Sequence, residues 1–215
     1  MIKLEHLNVS GWDAAIRGMR NPMNSWDKSD SYWTHIENPD TLNEAPFQFF
    51  LGNNDLKLMQ KLCKAGSDHR KFLRMINVTC DITAPLYWWK EYDTYKVGTV
   101  ANSCSTMHKI HEKEFTLDDF SHEHLKDKCR NHLRWTIALL NDARLGFLET
   151  KDKDWWWQMI QLLPSSYNQK RTVQLNYEVL LNMYRARKAH KLDEWVDFCK
   201  WIEELPYFRD ICLVE

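Results

Sequence analysis

The most constraining stretch of this sequence runs from Asn77 to Pro85, where apolar and polar side chains alternate. The apolar positions are Val78, Cys80 and Ile82. A period of two residues is that of a β-strand with one buried face. Pro85 then stands where a helix can begin, because its missing N–H is not needed in the first helical turn. The pattern therefore predicts a strand that leads directly into a helix.

The residues after this proline follow a helical spacing and then give way to a polar turn. The apolar stripe of the helix is formed by Leu86, Trp88, Trp89 and Tyr92. Gly98 breaks the regularity, and the polar turn extends from there to His108. A helix that delivers a polar loop can present side chains and backbone N–H groups to a ligand. Composition alone favours the alternative, a core helix followed by an ordinary loop.

The whole-chain composition is that of a soluble globular protein. Its 215 residues suit one domain, which we expect to span residues 1–215. The formal net charge of −1 gives no support for a nucleic-acid partner. No apolar run approaches the length that spans a bilayer, and the N-terminus lacks a signal-peptide pattern. We therefore expect a cytoplasmic protein that binds neither membranes nor nucleic acid.

The cysteines and histidines do not indicate a metal site. Six cysteines are spread along the chain without a Cys-x-x-Cys pair, which favours reduced and mostly buried thiols. His-x-x-His and His-x-His spacings occur between His108 and His124, and such spacings can bind metals. They lack a helical glutamate partner and a cysteine at ligand distance, so we predict no metal.

Eleven tryptophans are unusual for a chain of this length. They include the pair Trp88–Trp89 and the run Trp155–Trp157. Three consecutive residues of a helix cannot all face one core, so some indole surface is expected to meet another subunit or to line a pocket. The alternative is that the rings fill a wide core.

Two arginines near the N-terminus are candidates for binding an anion. Trp12 to Arg20 has the spacing of a short helix that carries both Arg17 and Arg20 away from its apolar side. Two arginines three residues apart can clamp a phosphate. A solvated helix face is the commoner explanation of such a pair.

The rest of the pattern predicts further helices and extended segments. We predict an edge strand over Ile2 to Val9, a long loop over Asn24 to Ala45, and an extended segment over Pro46 to Leu51. Helices are predicted over Asp55 to Ala65 with Asn54 as its cap, then over Leu125 to Leu148, Asp154 to Leu163, Tyr167 to His190 and Leu192 to Leu205. The chain is therefore expected to be a mixed α/β domain.

The predicted helix over Tyr167 to His190 carries four polar residues of interest, Asn176, Asn182, Arg185 and Arg187. Asparagine amides at helical spacing can bind the edge of an aromatic ring, and an arginine can hold a phosphate or a carbonyl. Such residues are also routine on solvent-facing helices. No Gly-rich phosphate loop, dinucleotide fingerprint, nucleophile elbow or carboxylate pair stands out in the sequence.

Two regions of the chain together resemble the flavin-dependent thymidylate synthases. The first, Asn54 to His108, is similar in its order of helix, strand, Ala-Pro turn, aromatic-basic helix and Asn-x-x-Ser loop. Its matching pieces are Ala84-Pro85-Leu86-Tyr87, Lys90-Glu91-Tyr92 and Asn102-Ser103-Cys104-Ser105. In the second, Leu163-Pro164 is followed at the family's spacing by Asn176, Asn182 and Arg187. Residues Ala15 to Arg20 also resemble the short basic helix near the family's start.

The resemblance implies an α/β (α+β) fold with a central mixed sheet flanked by long helices, assembled as a homotetramer. In that family the sites lie between subunits, bind FAD and deoxyuridylate, and methylate the pyrimidine with methylene-tetrahydrofolate and a nicotinamide reductant. Arg187 matches a pyrimidine-nucleotide contact, whereas Asn176 and Asn182 match flavin-side contacts. The nucleotide-binding candidates are Arg187, Ser105, Asn102, Lys96, Lys90, Arg17 and Arg20.

Several anchors of the flavin are replaced in this chain. The family's Arg-His-Arg signature falls on Thr94-Tyr95-Lys96, and the Arg-Tyr that closes its loop falls on Met107-His108. One phosphate-binding arginine falls on Ile160, and the arginine of the family's Asn-x-Arg is Glu178. Each lost charge-assisted contact would weaken binding by roughly 1.5–3 kcal/mol. Because no side chain can carry hydride in place of a flavin, we expect this loss to abolish flavin use.

We therefore expect a homo-oligomeric nucleotide-binding protein without the usual flavin chemistry and without a cofactor. Our hypothesis for its role is the sequestration of a nucleotide or a nucleotide-derived signal, as a viral or mobile-element protein could perform. One alternative is a divergent enzyme that binds FAD and alkylates a deoxypyrimidine monophosphate. Another is an interaction protein whose old site is vestigial.

Overall fold

The computed structural model describes residues 2–35 and 47–214, which form six strands and eight α-helices. The strands are β1 (Lys3–Ser10), β2 (Tyr32–His35), β3 (Phe47–Phe50), β4 (Asn77–Pro85), β5 (Val100–Ser103) and β6 (Asn168–Asn176). The helices are α1 (Trp12–Arg20), α2 (Asn53–Lys64), α3 (Leu86–Tyr92), α4 (Asp127–Thr150), α5 (Lys153–Leu162), α6 (Tyr177–Arg187), α7 (Asp193–Glu204) and α8 (Phe208–Cys212). The expected α/β fold class is confirmed.

The central sheet has four strands in the order β1-β4-β6-β5. Every pairing in it is antiparallel, so the expectation of a mixed sheet is wrong in this detail. β4 and β6 pair along their whole length, from Asn77 opposite Asn176 to Pro85 opposite Asn168. β1 forms one edge, as predicted for the first strand, while β2 and β3 form a separate hairpin.

The unit of β4 and α3 has the structure that its sequence predicts. The alternating apolar side chains of β4 are all buried, namely Val78, Cys80 and Ile82. Pro85 ends β4 with extended backbone and directly precedes the first residue of α3. Trp88 and Trp89 both lie in the core, whereas Trp155 and Trp157 are 41% and 39% exposed. Of these two groups, the run of three tryptophans, and not the pair, exposes indole surface, as do Trp135 and Trp26 elsewhere in the chain.

Residues 168–176 form strand β6, so the prediction of one helix from Tyr167 to His190 is wrong. Along β6, Val173 and Leu175 are buried, whereas Thr172 and Gln174 are exposed. Helix α6 begins only at Tyr177, where the side chain of Asn176 accepts a hydrogen bond from the backbone N–H of Val179. Residues 168–176 form a strand because the backbone N–H and C=O groups of the buried strand β4 need hydrogen-bond partners on both sides, and β1 provides them on one side only.

Three smaller predictions also need correction. The polar turn after Gly98 contains strand β5, because residues 100–103 pair with β6. The predicted loop over Asn24 to Ala45 contains β2, and residues 36–46 lie outside the described residues. Helix α2 is preceded by Gly52 rather than capped by Asn54, and the carboxylate of Asp30 accepts the backbone N–H of Asn54.

Two hydrophobic clusters stabilise the chain. The larger one packs side chains of α1, α3, α6 and α7 against the sheet. The smaller one lies between α4 and α5, around Leu133, Leu140 and Met159. Within residues 2–35 and 47–214, no helix combines the length and the apolarity that crossing a membrane requires.

Candidate functional site

Residues 95–98 pack along helix α6, beside most of the candidates from the last third of the chain. At one end, the Tyr95 hydroxyl accepts a hydrogen bond from Nε of Arg187, at 3.0 Å. At the other end, a Cβ added to Gly98 would lie 2.8 Å from Nδ2 of Asn176. The segment therefore runs along α6 from its last residue to its cap, and we call this contact region, with the cavity at its Gly98 end, the α6 cleft.

Arg187 is held on aromatic surface and is paired with an acid. Its guanidinium lies 5.0 Å from the ring centroid of Trp195 and 5.7 Å from that of Tyr95. Its Nη1 donates to Oε2 of Glu91 at 2.5 Å, and its side chain is 20% exposed. Cation–π contacts of this kind contribute about 0.5–2 kcal/mol each. The guanidinium is therefore fixed in place, and a phosphate ligand would have to share it with Glu91.

His190 completes this end of the cleft. Its Nδ1 accepts the backbone N–H of Leu192 at 3.1 Å, so the neutral ring carries its proton on Nε2. That Nε2 lies 3.2 Å from Oε2 of Glu91, the same oxygen that Arg187 contacts. Glu91 therefore accepts hydrogen bonds from Arg187, the last residue of α6, and from His190 just after the helix.

The other end of the cleft opens into a cavity of about 260 Å³, which we call the Glu178 cavity. Its lining residues are Arg74, Val97, Gly98, Asn176, Glu178, Val179 and Asn182. Gly98 has a φ of +79°, a left-handed conformation in which a side chain would be strained. The two asparagines that the sequence singles out therefore line one cavity, beside the first turn of α6.

Glu178, which lines this cavity, belongs to a buried ion pair with Arg70. Nε of Arg70 lies 2.9 Å from Oε2 of Glu178, and Nη2 lies 3.2 Å from Oε1. The two side chains are only 9% and 10% exposed. Two parallel charge-assisted hydrogen bonds fix the geometry as well as the charge balance. The position where the resemblance expects a phosphate-binding arginine therefore holds a carboxylate that is already paired.

Asn102 and Ser105 lie on and just after the edge strand β5. Asn102 is exposed and pairs with Thr172 of β6. The hydroxyl of Ser105 accepts the backbone N–H groups of residues 107 and 108, at 3.2 and 2.9 Å. The backbone N–H of Cys104, which precedes Ser105, donates a hydrogen bond to the carbonyl of Lys170 on β6. Lys170 and Asn176 are about 20 Å apart along this strand. Among the described residues, no hydrogen bond joins Asn102 or Ser105 to α6, so their convergence with it across a subunit boundary stays a prediction.

The two lysine candidates are on the surface. Lys90 is exposed on α3, and Lys96 is exposed in the segment that borders the α6 cleft. Neither has an ion-pair partner within the described ranges. Lys96 is therefore a cation that a ligand in the cleft could use, whereas Lys90 is not brought to the cleft by any contact.

Arg20 cannot form the predicted anion clamp with Arg17, because its guanidinium is committed to internal partners. It is 3% exposed. Its Nε lies 2.6 Å from Oδ1 of Asp55, and its two terminal nitrogens donate to backbone carbonyls of residues 25 and 28. Arg17 is exposed beside a separate cavity of about 300 Å³ on α1. An anion site there would have to depend on Arg17 alone.

The carboxylate that holds Arg20 is itself strongly hydrogen-bonded. Burial raises the pKa of Asp55, but hydrogen bonds from Ser31, Ser29 and Arg20 outweigh burial and leave the pKa below its ordinary value. This network ties the segment after α1 to the first turn of α2. Its role is therefore structural.

Sequence reasoning missed three residues that shape the cleft, namely Arg70, Tyr95 and Trp195. Tyr95 falls inside the signature that the resemblance assigns to flavin binding, and this signal could have drawn attention to it. Arg70 stands 108 positions before Glu178, so no local pattern links them. In the part of the chain that the structure describes, no group of three or more His, Cys, Asp or Glu residues is arranged to hold a metal ion.

Comparison with known proteins identifies the fold. Neither a protein-family model nor a curated protein matches this sequence. The chain is similar to a crystal structure of thymidylate synthase X (ThyX) from Helicobacter pylori with FAD and dUMP, at a TM-score of 0.68 and 16% identity, over 99% of this chain and 97% of that one. A second structure, of flavin-dependent thymidylate synthase ThyX from the same organism complexed with FAD and dUMP, gives a TM-score of 0.66 and 16% identity over 98% and 96%. The chain therefore has the fold of ThyX over nearly its whole length.

Proposed function

We propose that this chain is a homo-oligomeric nucleotide-binding protein that uses a ThyX-like scaffold without the usual flavin chemistry. The observation that carries the proposal is the α6 cleft, which lies in a fold whose solved neighbours hold FAD and dUMP. The cleft combines a cation fixed on aromatic rings, an exposed lysine and two asparagine amides, which suit a phosphate and a base. Its role would be to sequester a nucleotide or a nucleotide-derived signal.

The residues of the cleft do not fit FAD. Glu178 stands where the resemblance requires an arginine, and it is paired with Arg70. Ile160, at a second expected arginine position, packs into the cluster between α4 and α5. Losing two charge-assisted contacts of about 1.5–3 kcal/mol each would weaken binding roughly 10²–10⁴-fold.

The outer face of α4 supports self-association. Large apolar side chains on it are widely exposed, with Trp135 at 72%, Leu145 at 58% and Leu139 at 53%. Exposed apolar surface of this kind usually marks an interaction site. We propose that a second copy of the chain covers this face, and that the assembly is the homotetramer that the resemblance implies.

A ligand panel tests the proposal directly. Thermal unfolding of the purified protein should be recorded with mono-, di- and cyclic nucleotides, because a ligand at a hundred times its Kd adds about 2.7 kcal/mol of stability. At least one nucleotide should stabilise the wild type, and Arg187→Ala should reduce that shift. If no member of the panel stabilises the protein, nucleotide binding is refuted and an interaction protein with a vestigial site is the better description.

The flavin-dependent enzyme is kept as the second candidate, because the solved neighbours hold FAD and dUMP. Such an enzyme would purify with flavin absorbance or acquire it when FAD is added. Tight FAD binding would establish this candidate and refute the loss of flavin chemistry. A colourless protein that does not change the absorbance of added FAD would exclude the enzyme.

A further inference from the structure

We propose that Cys63 and Cys212 form an oxidative modification site, at which a peroxide-class oxidant joins the two thiols into a disulfide. The two residues are distant in the sequence, in the last turn of α2 and at the last residue of α8. In the folded chain their side chains are hydrogen-bonded to each other. Both are free thiols with little exposure, 7% for Cys63 and 8% for Cys212. Thiols in direct contact are the starting geometry from which a disulfide forms.

The packing of α8 against α2 holds the two thiols together. Nε2 of Gln60, one turn before Cys63, donates a hydrogen bond to the carbonyl of Asp210 at 2.9 Å. Phe208 and Ile211 of α8 are buried in the same hydrophobic cluster as both cysteines. A polar contact and apolar packing therefore fix the two helices at the point where the thiols meet, before any covalent link is made.

The surroundings of the pair give its two thiols different roles. The hydrogen bond from Cys212 lowers the pKa of Cys63, although burial opposes this effect. Among the nearby charges, Arg70 and Arg185 lower this pKa and Glu178 raises it. The hydrogen bond to Cys63, together with burial, raises the pKa of Cys212. Cys63 therefore forms a thiolate more easily, and the thiolate is the nucleophile in thiol oxidation.

The other cysteines lack this arrangement. Cys80 and Cys199 are buried, and burial raises the pKa of these thiols to about 12 and about 11. Cys104 and Cys129 are exposed, so an oxidant can link them between molecules. Cys63 is therefore the buried cysteine whose surroundings favour the thiolate.

The proposed reaction with hydrogen peroxide has two balanced steps. Sγ of the Cys63 thiolate attacks a peroxide oxygen, the O–O bond breaks, and the hydroxide that leaves takes a proton from solvent to become water. Cys63 is then a sulfenic acid. Sγ of Cys212 attacks Sγ of Cys63, and the hydroxide that leaves combines with the proton of Cys212 as a second water. The two thiols lose two electrons, and these reduce the peroxide.

The disulfide links α8, the last of the described helices, to α2. Gln60 and Asp210, whose hydrogen bond spans the same contact, are 150 positions apart. Closing a loop of this length restricts the unfolded chain far more than the folded one. We therefore expect the oxidised protein to unfold at a temperature about 5–15 °C higher than the reduced protein.

Peptide mapping tests the pair in full-length protein whose exposed thiols are removed by Cys104→Ser and Cys129→Ser. After treatment with hydrogen peroxide, free thiols are alkylated in denaturant and the protein is digested without reductant. We expect a linked peptide that contains Cys63 and Cys212 and that dithiothreitol separates. The proposal is overturned if both residues are alkylated after treatment, or if Cys63 becomes a sulfinic or sulfonic acid while Cys212 stays free.

Thermal unfolding of the same protein separates the cross-link from side effects of substitution. The unfolding temperatures of the peroxide-treated and reduced forms are compared within each variant, so a loss of stability common to both forms cancels. Cys63→Ala and Cys212→Ala should each abolish the shift. Cys80→Ala, in the same hydrophobic cluster, is the matched control and should retain it. A shift that persists in Cys63→Ala would show that another group is oxidised and would refute the site.

Discussion

Replacing Arg70 by methionine is expected to destabilise the protein by about 3–5 kcal/mol, because Glu178 is then left buried without its cation. The two side chains are 9% and 10% exposed, with charged atoms 2.9 Å apart. At that separation and an effective dielectric constant of about 20, the Coulomb attraction is roughly 6 kcal/mol, which is consistent with a loss of this size after the surroundings relax. For a chain of this length, 1 kcal/mol shifts the unfolding midpoint by about 2–4 °C, so a fall of roughly 6–20 °C is expected.

The double variant Arg70→Met/Glu178→Met is the matched control. It removes both charges, and replacing a buried ion pair by apolar side chains is often neutral or stabilising. Urea unfolding of wild type, single and double variants should therefore place the double variant close to wild type, with similar m-values. Equal losses in the single and double variants would show that packing, and not the unpaired carboxylate, causes the effect.

Three further outcomes are expected elsewhere in the molecule. The pKa of Asp55 is lowered in the folded state. The ionised carboxylate therefore stabilises the fold above the unfolded pKa of about 3.9, and this stabilisation is lost as the pH falls through the folded pKa. The acid unfolding of Asp55→Asn should accordingly depend less on pH than that of wild type. A Cβ on Gly146 would lie 2.6 Å from the indole of Trp155, so Gly146→Ala should move that ring, detected as a fluorescence change that disappears in a Trp155→Phe background. Trp135→Glu with Leu139→Glu should lower the mass measured by light scattering without changing the unfolding of the single chain, and an unchanged mass would exclude α4 as the interface.

The parts of the fold that the sequence predicts are those with local signals. Strand β4 alternates in burial, and Pro85 marks the start of α3, so neighbouring residues are sufficient for both. Strand β6 is different, because apolar residues on either side of Asn176 happen to fit one helical period. Its pairing with β4, distant in the sequence, decides the structure instead. Strand β5 is similar, since all of its residues from Val100 to Ser103 are exposed without alternation, and only pairing with β6 defines it.

The candidate site is predictable in its two amides but not in its charges. Asn176 ends β6 and caps α6, while Asn182 lies within α6, and both line one cavity. Glu91, which pairs with Arg187, lies 96 residues before it in the sequence. Arg70, which pairs with Glu178, lies 108 residues before it. No local pattern indicates which charges neutralise one another at such separations.

The charges at the two ends of α6 determine what kind of ligand the cleft can select. Arg187 and Glu178 are each balanced by an opposite charge from another element, so neither end presents a strong net charge. Lys96 and Arg74 are exposed cations beside the cleft that have no ion-pair partner among the described residues. Salt at physiological concentration screens exposed charges beyond about 8 Å. The advantage of a nucleotide over its nucleoside should therefore decline as ionic strength rises, because it depends on exposed cations.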